Sequence, residues 1–243
     1  MDKFSLYAAQ FLTFKEYFVP KGHNACKGCG VALSVRQVYK ALEGLAQNIE
    51  KAKWQTPWEQ SLIVKGDDAA ASQLALLTIF KGKDEKGDVL HICFDNESTD
   101  GKTGSNVLFK RLPAVASASG YAYAATACPS HPFDLVEKVR TGWEAKGSAF
   151  IYILCPCPVA WKFDPENTVK IGRMAVETRV FPLYSISQGY YQITSDEITP
   201  RPVKDYVKSQ ERFLSWSAKK IAELQDAVTA AFSSLKDKAN KGM

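Results

Sequence analysis

Ala149-Phe150-Ile151-Tyr152-Ile153-Leu154 is a six-residue apolar and aromatic run that stops at Cys155-Pro156-Cys157-Pro158. Its shortness, its β-branched and aromatic content and the prolines that close it predict a strand. Working upstream, residues 132–143 read as a helix, and residues 121–126 read as a strand ending at Cys128. Before these, residues 88–94 predict a strand that runs into Asp95-Asn96-Glu97-Ser98, followed by the loop Gly101-Lys102-Thr103-Gly104. Ser61-Leu62-Ile63-Val64 predicts one more strand; it leads through Lys65-Gly66-Asp67-Asp68 into an Ala/Leu-rich helix over about 69–80. Strands that alternate with helices imply an α/β fold, a parallel sheet flanked by helices.

Outside this frame, His23-Asn24-Ala25-Cys26-Lys27-Gly28-Cys29-Gly30 places two thiols on a Gly-rich turn. A helix over 31–47 is predicted at once behind it, with Val31, Val35, Val38 and Leu42 on one face. Residues 48–60 show no clean period and read as a loop. Residues 1–22 form an entry arm whose Phe11, Phe14, Tyr17 and Phe18 are available for docking. Residues 181–205 read as β-rich. Residues 206–236 read as helical, with Phe213, Ile221, Leu224, Val228 and Phe232 on an apolar stripe, and the Lys-rich tail from Lys236 is expected to fray. The expected organisation is an arm (1–22), an α/β domain with the thiol motif (23–180) and a C-terminal β-rich and helical extension (181–243).

A chain of 243 residues, 46% apolar and 12% aromatic, has enough material for one large α/β core or two small ones. Its net charge of +5 comes from Lys and Arg scattered among acids, which is the pattern of a solvated surface and argues against nucleic-acid binding. No apolar stretch reaches membrane-spanning length and no secretion signal opens the chain, so a cytoplasmic protein without membrane contact is expected. In that compartment Cys26, Cys29, Cys93, Cys128, Cys155 and Cys157 read as ligands or buried thiols rather than disulfides.

A CxxC turn directs both sulfurs to one side and suits zinc or an iron–sulfur cluster first; a redox pair or plain buried thiols are the alternatives. In an open parallel sheet, ligands bind beyond the carboxyl ends of the strands. The unusual residues follow the predicted strands: Asp67 and Asp68, Asp95 and Asn96, Cys128, then Cys155 and Cys157. Asp67 taken alone is an ordinary helix cap, and Asn96 an ordinary turn residue. Together they suit a Mg²⁺ ion that holds a diphosphate.

These stretches resemble the β subunit of pyruvate synthase and related 2-oxoacid:ferredoxin oxidoreductases. Gly22 to Gly30 is similar to that family's N-terminal cluster motif, Gly66-Asp67-Asp68 to its Gly-Asp-Gly diphosphate turn, and Asp95-Asn96-Glu97 to its second Mg-binding stretch. Cys155-Pro156-Cys157-Pro158-Val159-Ala160-Trp161 resembles its Pro-Cys-Pro-Thr-Gly-Trp. Asp164-Pro165-Glu166, Ile171-Gly172-Arg173-Met174-Ala175-Val176-Glu177-Thr178 and Gln210-Glu211-Arg212-Phe213 continue the likeness. The resemblance implies oxidative decarboxylation of a 2-oxoacid on thiamine diphosphate, with electrons leaving through a [4Fe–4S] cluster to a ferredoxin-like acceptor. It implies Mg²⁺ on Asp67, Asn96 and the Ser98 carbonyl, and a cofactor cradle that includes Gly66, Gly28 and Cys29. It implies cluster ligation by Cys26, Cys29 and Cys157. Cys128 is the expected fourth ligand if its strand neighbours the one ending at Cys155, and Cys155 is the alternative. The glutamate that activates thiamine is implied to come from an α-type partner subunit.

The chain departs from the family at several places. The third cluster cysteine is replaced by the region of Trp54, a segment before the diphosphate turn is lacking, and Asp68 stands where the family has Gly. A non-catalytic scaffold subunit of such a complex is therefore the alternative to an enzyme subunit, and a zinc-stabilised binding module the third reading.

Overall fold

The computed structural model describes residues 25–42, 90–99, 102–103 and 112–241. The entry arm, the strand expected at 61–64, the Gly66-Asp67-Asp68 turn, the helix at about 69–80 and the Trp54 region lie outside the described residues.

Helix α1 (Gly30–Leu42) is followed by strand β1 (Leu90–Asp95) and the short antiparallel pair β2 (Ser98–Thr99) and β3 (Lys102–Thr103). Then come α2 (Leu112–Ala118), β4 (Tyr123–Ala127), α3 (Pro132–Glu144), β5 (Ala149–Leu154) and the single turn α4 (Pro158–Trp161). A 3₁₀ turn at Pro165–Asn167 leads into α5 (Thr168–Glu177); the chain ends with β6 (Tyr184–Ser187), β7 (Tyr190–Ile193), α6 (Val203–Lys208) and α7 (Ala218–Asn240). The main sheet has the order β1-β5-β4-β6-β7.

Strand β5 is the centre because its sequence is apolar at every position. All six residues are buried, as a strand covered on both faces requires. It pairs in parallel with β1 on one side (Cys93 opposite Tyr152) and with β4 on the other (Ala125 opposite Ile151). The alternation of side chains sorts the core into two layers. Ile92, Phe94, Tyr123, Ala125, Ile151 and Ile153 face α1 and α3. Cys93, Ala124, Phe150, Tyr152 and Leu154 face the layer that holds Ile171 and Met174 of α5, Tyr206 of α6 and Leu224 of α7.

The α/β expectation holds, with one correction: the sheet is mixed. The stretch expected as a β-rich extension adds a hairpin to the edge of the same sheet, β6 antiparallel to β4 and β7 antiparallel to β6. Its two-residue loop, Gln188-Gly189, has positive φ at both positions (51° and 87°), the turn whose twist matches a hairpin. The region expected to be helical from 206 to 236 is broken between Lys208 and Ala218. Phe213 and Trp216 pack there with ring centroids 4.7 Å apart, and the Ser217 hydroxyl accepts the Lys220 N–H to start α7. The tail does not fray at Lys236. Helix α7 continues to Asn240, with Lys236 paired to Asp196 at 2.7 Å and Lys238 over the Tyr191 ring.

Candidate functional site

Strands β1, β5 and β4 run the same way, so Asp95, Leu154 and Ala127 end on one edge of the sheet. That edge carries the Asn96 turn, Cys155-Pro156-Cys157 and Cys128 side by side, as the sequence predicts for the described part of the set.

The CxxC turn is docked onto this edge by two glycines. The Cys29 N–H closes the turn on the Cys26 carbonyl at 3.1 Å, and the Gly30 N–H donates to the Pro156 carbonyl at 3.1 Å. A Cβ on Gly30 would stand 2.4 Å from that same carbonyl oxygen. Gly28 has φ +66°, and a Cβ there would stand 2.3 Å from the Pro165 carbonyl oxygen. Glycine is thus required at both places, once for backbone conformation and twice for close approach. The turn sits between the segment that carries Cys157 and the turn that starts α5.

The thiols divide into two kinds. Cys26 is exposed, and Cys29 and Cys157 are partly exposed. Cys157 caps α4, its sulfur accepting the Ala160 N–H at 3.4 Å. Burial raises its pKa, the amide bond lowers it, and the charges of Cys29 and Cys26 raise it again. Cys26 and Cys29 also line a cavity of about 390 Å³ with Arg36, Glu166 and Val169.

Cys128 and Cys155 are core residues. Their strands are neighbours, the condition set for Cys128 as a fourth ligand. The Cys128 sulfur, however, is fully buried on the α5 layer, accepts the Ser130 hydroxyl at 3.1 Å, and has its pKa pushed up to about 11 by burial. Cys155 packs in the opposite layer, its sulfur 3.3 Å from the Ser34 hydroxyl on α1, and burial holds its thiol well above the usual range. Cys155 and Cys157 contact different layers, although an extended chain would place them on the same side.

The Asn96 turn is held by groups that sequence reasoning missed. Within Asp95-Asn96-Glu97, both carboxylates bond inside the chain. Asp95 accepts the Glu97 N–H at 2.7 Å and the Tyr152 hydroxyl. Glu97, at φ +49°, forms an ion pair with Arg212 at 2.8 Å. The Arg212 guanidinium lies 4.0 Å from the Trp161 ring centroid, and the Trp161 indole N–H donates to the Asn96 carbonyl at 2.7 Å. Trp161 ends the helix that Cys157 caps, so the thiol segment and the Asn96 turn form one connected unit. Arg212 lies within the Gln210-Glu211-Arg212-Phe213 match, but nothing local to that segment names Glu97 as its partner. Ser98 is present as backbone in β2, and Gly66 and Asp67 lie outside the described residues.

The donors suit a soft-metal group in kind, since thiolates are the ligands of iron–sulfur clusters and zinc. Among the described residues, no three Cys, His, Asp or Glu side chains stand close enough together to hold a metal ion. No helix among them is long and apolar enough to cross a membrane.

This is an α/β protein with thiols and a polar turn gathered at the carboxyl edge of its parallel strands. No family model matches the chain. Its sequence is similar to those of pyruvate synthase subunit PorB and ketoisovalerate oxidoreductase subunit VorB. Pyruvate synthase subunit PorB of Methanothermobacter thermautotrophicus is 28% identical over 91% of this chain and 98% of its own. The PorB subunit of Thermotoga maritima is 29% identical over 82% and 67%, and ketoisovalerate oxidoreductase subunit VorB of Pyrococcus abyssi is 25% identical over 93% and 94%. The Methanothermobacter match runs over 283 positions against 243 residues here, so that relative carries stretches this chain lacks. Among solved structures, a chain of a 2-oxoglutarate:ferredoxin oxidoreductase from Magnetococcus marinus aligns with a TM-score of 0.35 at 13% identity, covering 65% of this chain and 78% of that one.

Proposed function

We infer that the chain is the thiamine diphosphate- and cluster-binding subunit of a cytoplasmic 2-oxoacid:ferredoxin oxidoreductase-type complex. The observation that carries the reading is the connected unit at the sheet edge, where the Cys26–Cys29 turn, Cys157 and the Asn96 turn meet through Pro156, Trp161 and Arg212. Thiamine diphosphate bound there supplies the decarboxylation chemistry on the 2-oxoacid, and a [4Fe–4S] cluster the exit for electrons toward a ferredoxin-like acceptor.

In this reading Asp67, Asn96 and the Ser98 carbonyl hold Mg²⁺ against the diphosphate, with Gly66 in the turn beside it. Oxygen donors of this kind suit Mg²⁺ shared with phosphates. Cys26, Cys29 and Cys157 are the protein thiols of the cluster, and Gly28 lets their turn approach the edge. Glu97 is held in its ion pair with Arg212. That supports an activating glutamate supplied across an interface by an α-type subunit, so the chain works as part of a hetero-oligomer. The greater length of the PorB relative, together with Asp68 in the diphosphate turn, favours a second reading, a non-catalytic scaffold subunit.

The test is anaerobic purification of the chain with its partner subunits, followed by measurement of thiamine diphosphate, Mg²⁺, iron and sulfide. Activity is read as 2-oxoacid-dependent reduction of a viologen dye. Asp67→Ala is expected to lose thiamine diphosphate, and Cys29→Ser and Cys157→Ser to lose iron. Cys128→Ser is expected to keep its iron, because its sulfur is committed to the core; iron loss there would make it the fourth ligand. Iron without thiamine diphosphate or dye reduction selects the scaffold reading. Iron-free protein with six titratable thiols removes the cluster.

A further inference from the structure

We propose that Thr168 is the positioning residue that sets the Cys26–Cys29 turn in register with Cys157; the inference rests on the reading of these thiols as cluster ligands. Thr168 is the first residue of α5 and only 5% exposed. Its Oγ1 lies 2.6 Å from the Gly28 carbonyl oxygen and 2.8 Å from that of Pro165. A hydroxyl has one proton, so the two acceptors share it. The Pro165 contact is the local bond a threonine makes back along its own chain. The shorter contact crosses 140 residues of sequence to the peptide that joins Gly28 to Cys29.

The geometry of that peptide explains why the bond matters. Gly28 lies between the two cysteines, and the Gly28–Cys29 peptide is planar. Its N–H end is bonded to the Cys26 carbonyl at 3.1 Å, so holding its carbonyl end as well restrains the plane, and with it the direction in which Cys29 leaves the turn. Backbone makes two further contacts at the junction, Gly30 to Pro156 and Gly28 against the Pro165 carbonyl, and the Ser34 hydroxyl bonds the Gly30 carbonyl at 2.8 Å and lies 3.3 Å from the Cys155 sulfur. The backbone contacts set how close the turn approaches the edge. The Thr168 hydroxyl sets its rotation about that approach, because it holds the turn from the α5 side while Gly30 holds it from the Pro156 side. Cys157 lies just beyond Pro156, so the two attachments together place Cys29 relative to Cys157.

Thr168→Val keeps the branched shape and removes the hydroxyl, and Thr168→Ser keeps the hydroxyl. Two readouts are taken on the full chain. One is the yield of a short bifunctional thiol cross-linker between Cys29 and Cys157 in metal-free protein, measured by mass spectrometry. The other is iron per chain and the electron paramagnetic resonance spectrum of the reduced cluster after anaerobic loading. Thr168→Val is expected to lower the cross-link yield several-fold, to lower iron at least twofold and to alter the spectrum, while Thr168→Ser stays within twofold of wild type in each. If circular dichroism shows that Thr168→Val is not folded, Thr168→Ala is judged by the same readouts. Wild-type cross-linking, iron content and spectrum in a folded variant without the hydroxyl would overturn the proposal. Wild-type protein that takes up no iron, with a cross-link yield that still falls in Thr168→Val and recovers in Thr168→Ser, overturns the cluster reading and leaves Thr168 in its positioning role.

Discussion

Removing Arg212 should be among the more damaging single changes at this edge. The Arg212 side chain is 1% exposed and that of Glu97 10%, with the two charged groups 2.8 Å apart. Breaking a buried pair by deleting one partner leaves the other charge desolvated and costs about 3–5 kcal/mol. Arg212→Met keeps much of the stem volume, so the loss falls on the polar head. That head also donates to Gln210 at 2.8 Å and to the Tyr206 hydroxyl at 3.0 Å, and stacks on Trp161 and Phe213. With a urea slope of about 3 kcal/mol/M, the expected loss moves the unfolding midpoint down by about 1–1.7 M. The double variant Glu97→Gln, Arg212→Met removes both charges and should recover at least about 1.5 kcal/mol relative to the sum of the singles. Urea titration of the four proteins by fluorescence and circular dichroism measures this cycle. A cost below about 1 kcal/mol for Arg212→Met, or singles that add to within about 0.5 kcal/mol, would refute the view that this pair anchors the Asn96 turn.

Two further changes test the site and the core. Gly28→Ala meets both a positive φ and the Pro165 carbonyl, whereas Gly120→Ala meets a positive φ of 91° with nothing within 4 Å. The first should therefore destabilise the chain by about 1–3 kcal/mol more than the second, read from the same urea midpoints, and equal costs would contradict the close approach. Burial lowers the pKa of His91 from 6.5 to about 4, with its Nδ1 bonded to the Tyr121 hydroxyl. Between those values the unfolded chain binds a proton that the folded chain refuses. His91 thus contributes a loss of stability as pH falls from 6.5 towards 4, and none above 6.5. His91→Gln should flatten the pH slope of the unfolding free energy in that window; an unchanged slope would place the acid sensitivity elsewhere.

What the sequence reveals here follows how local each cause is. Ala149–Leu154 is legible to the residue, because six apolar side chains closed by prolines leave a strand as the natural solution. Helix α3 is read nearly as well, from its periodic pattern behind Pro132. The hairpin partnership of β6 with β4 is not legible, since 181–205 states strand propensity but not which edge it joins. Helix α2 is missed because Leu112–Ala118 is short and rich in small residues that serve several structures. At the site, spacing correctly brings Asn96, Cys128 and Cys157 to one edge. It does not show that Cys128 and Cys155 enter opposite layers, because that depends on the phase with which each strand ends. It also misses Thr168 and Arg212, whose partners Gly28 and Glu97 lie 140 and 115 residues away. The groups with chemistry to offer follow the strands and can be read from motifs. The groups that aim them come from other elements, and their roles exist only once the sheet has brought those elements together. A motif match therefore picks out the thiols and the Asn96 turn as candidates, while Thr168, Trp161 and Arg212, which tie those segments together, emerge only from the fold.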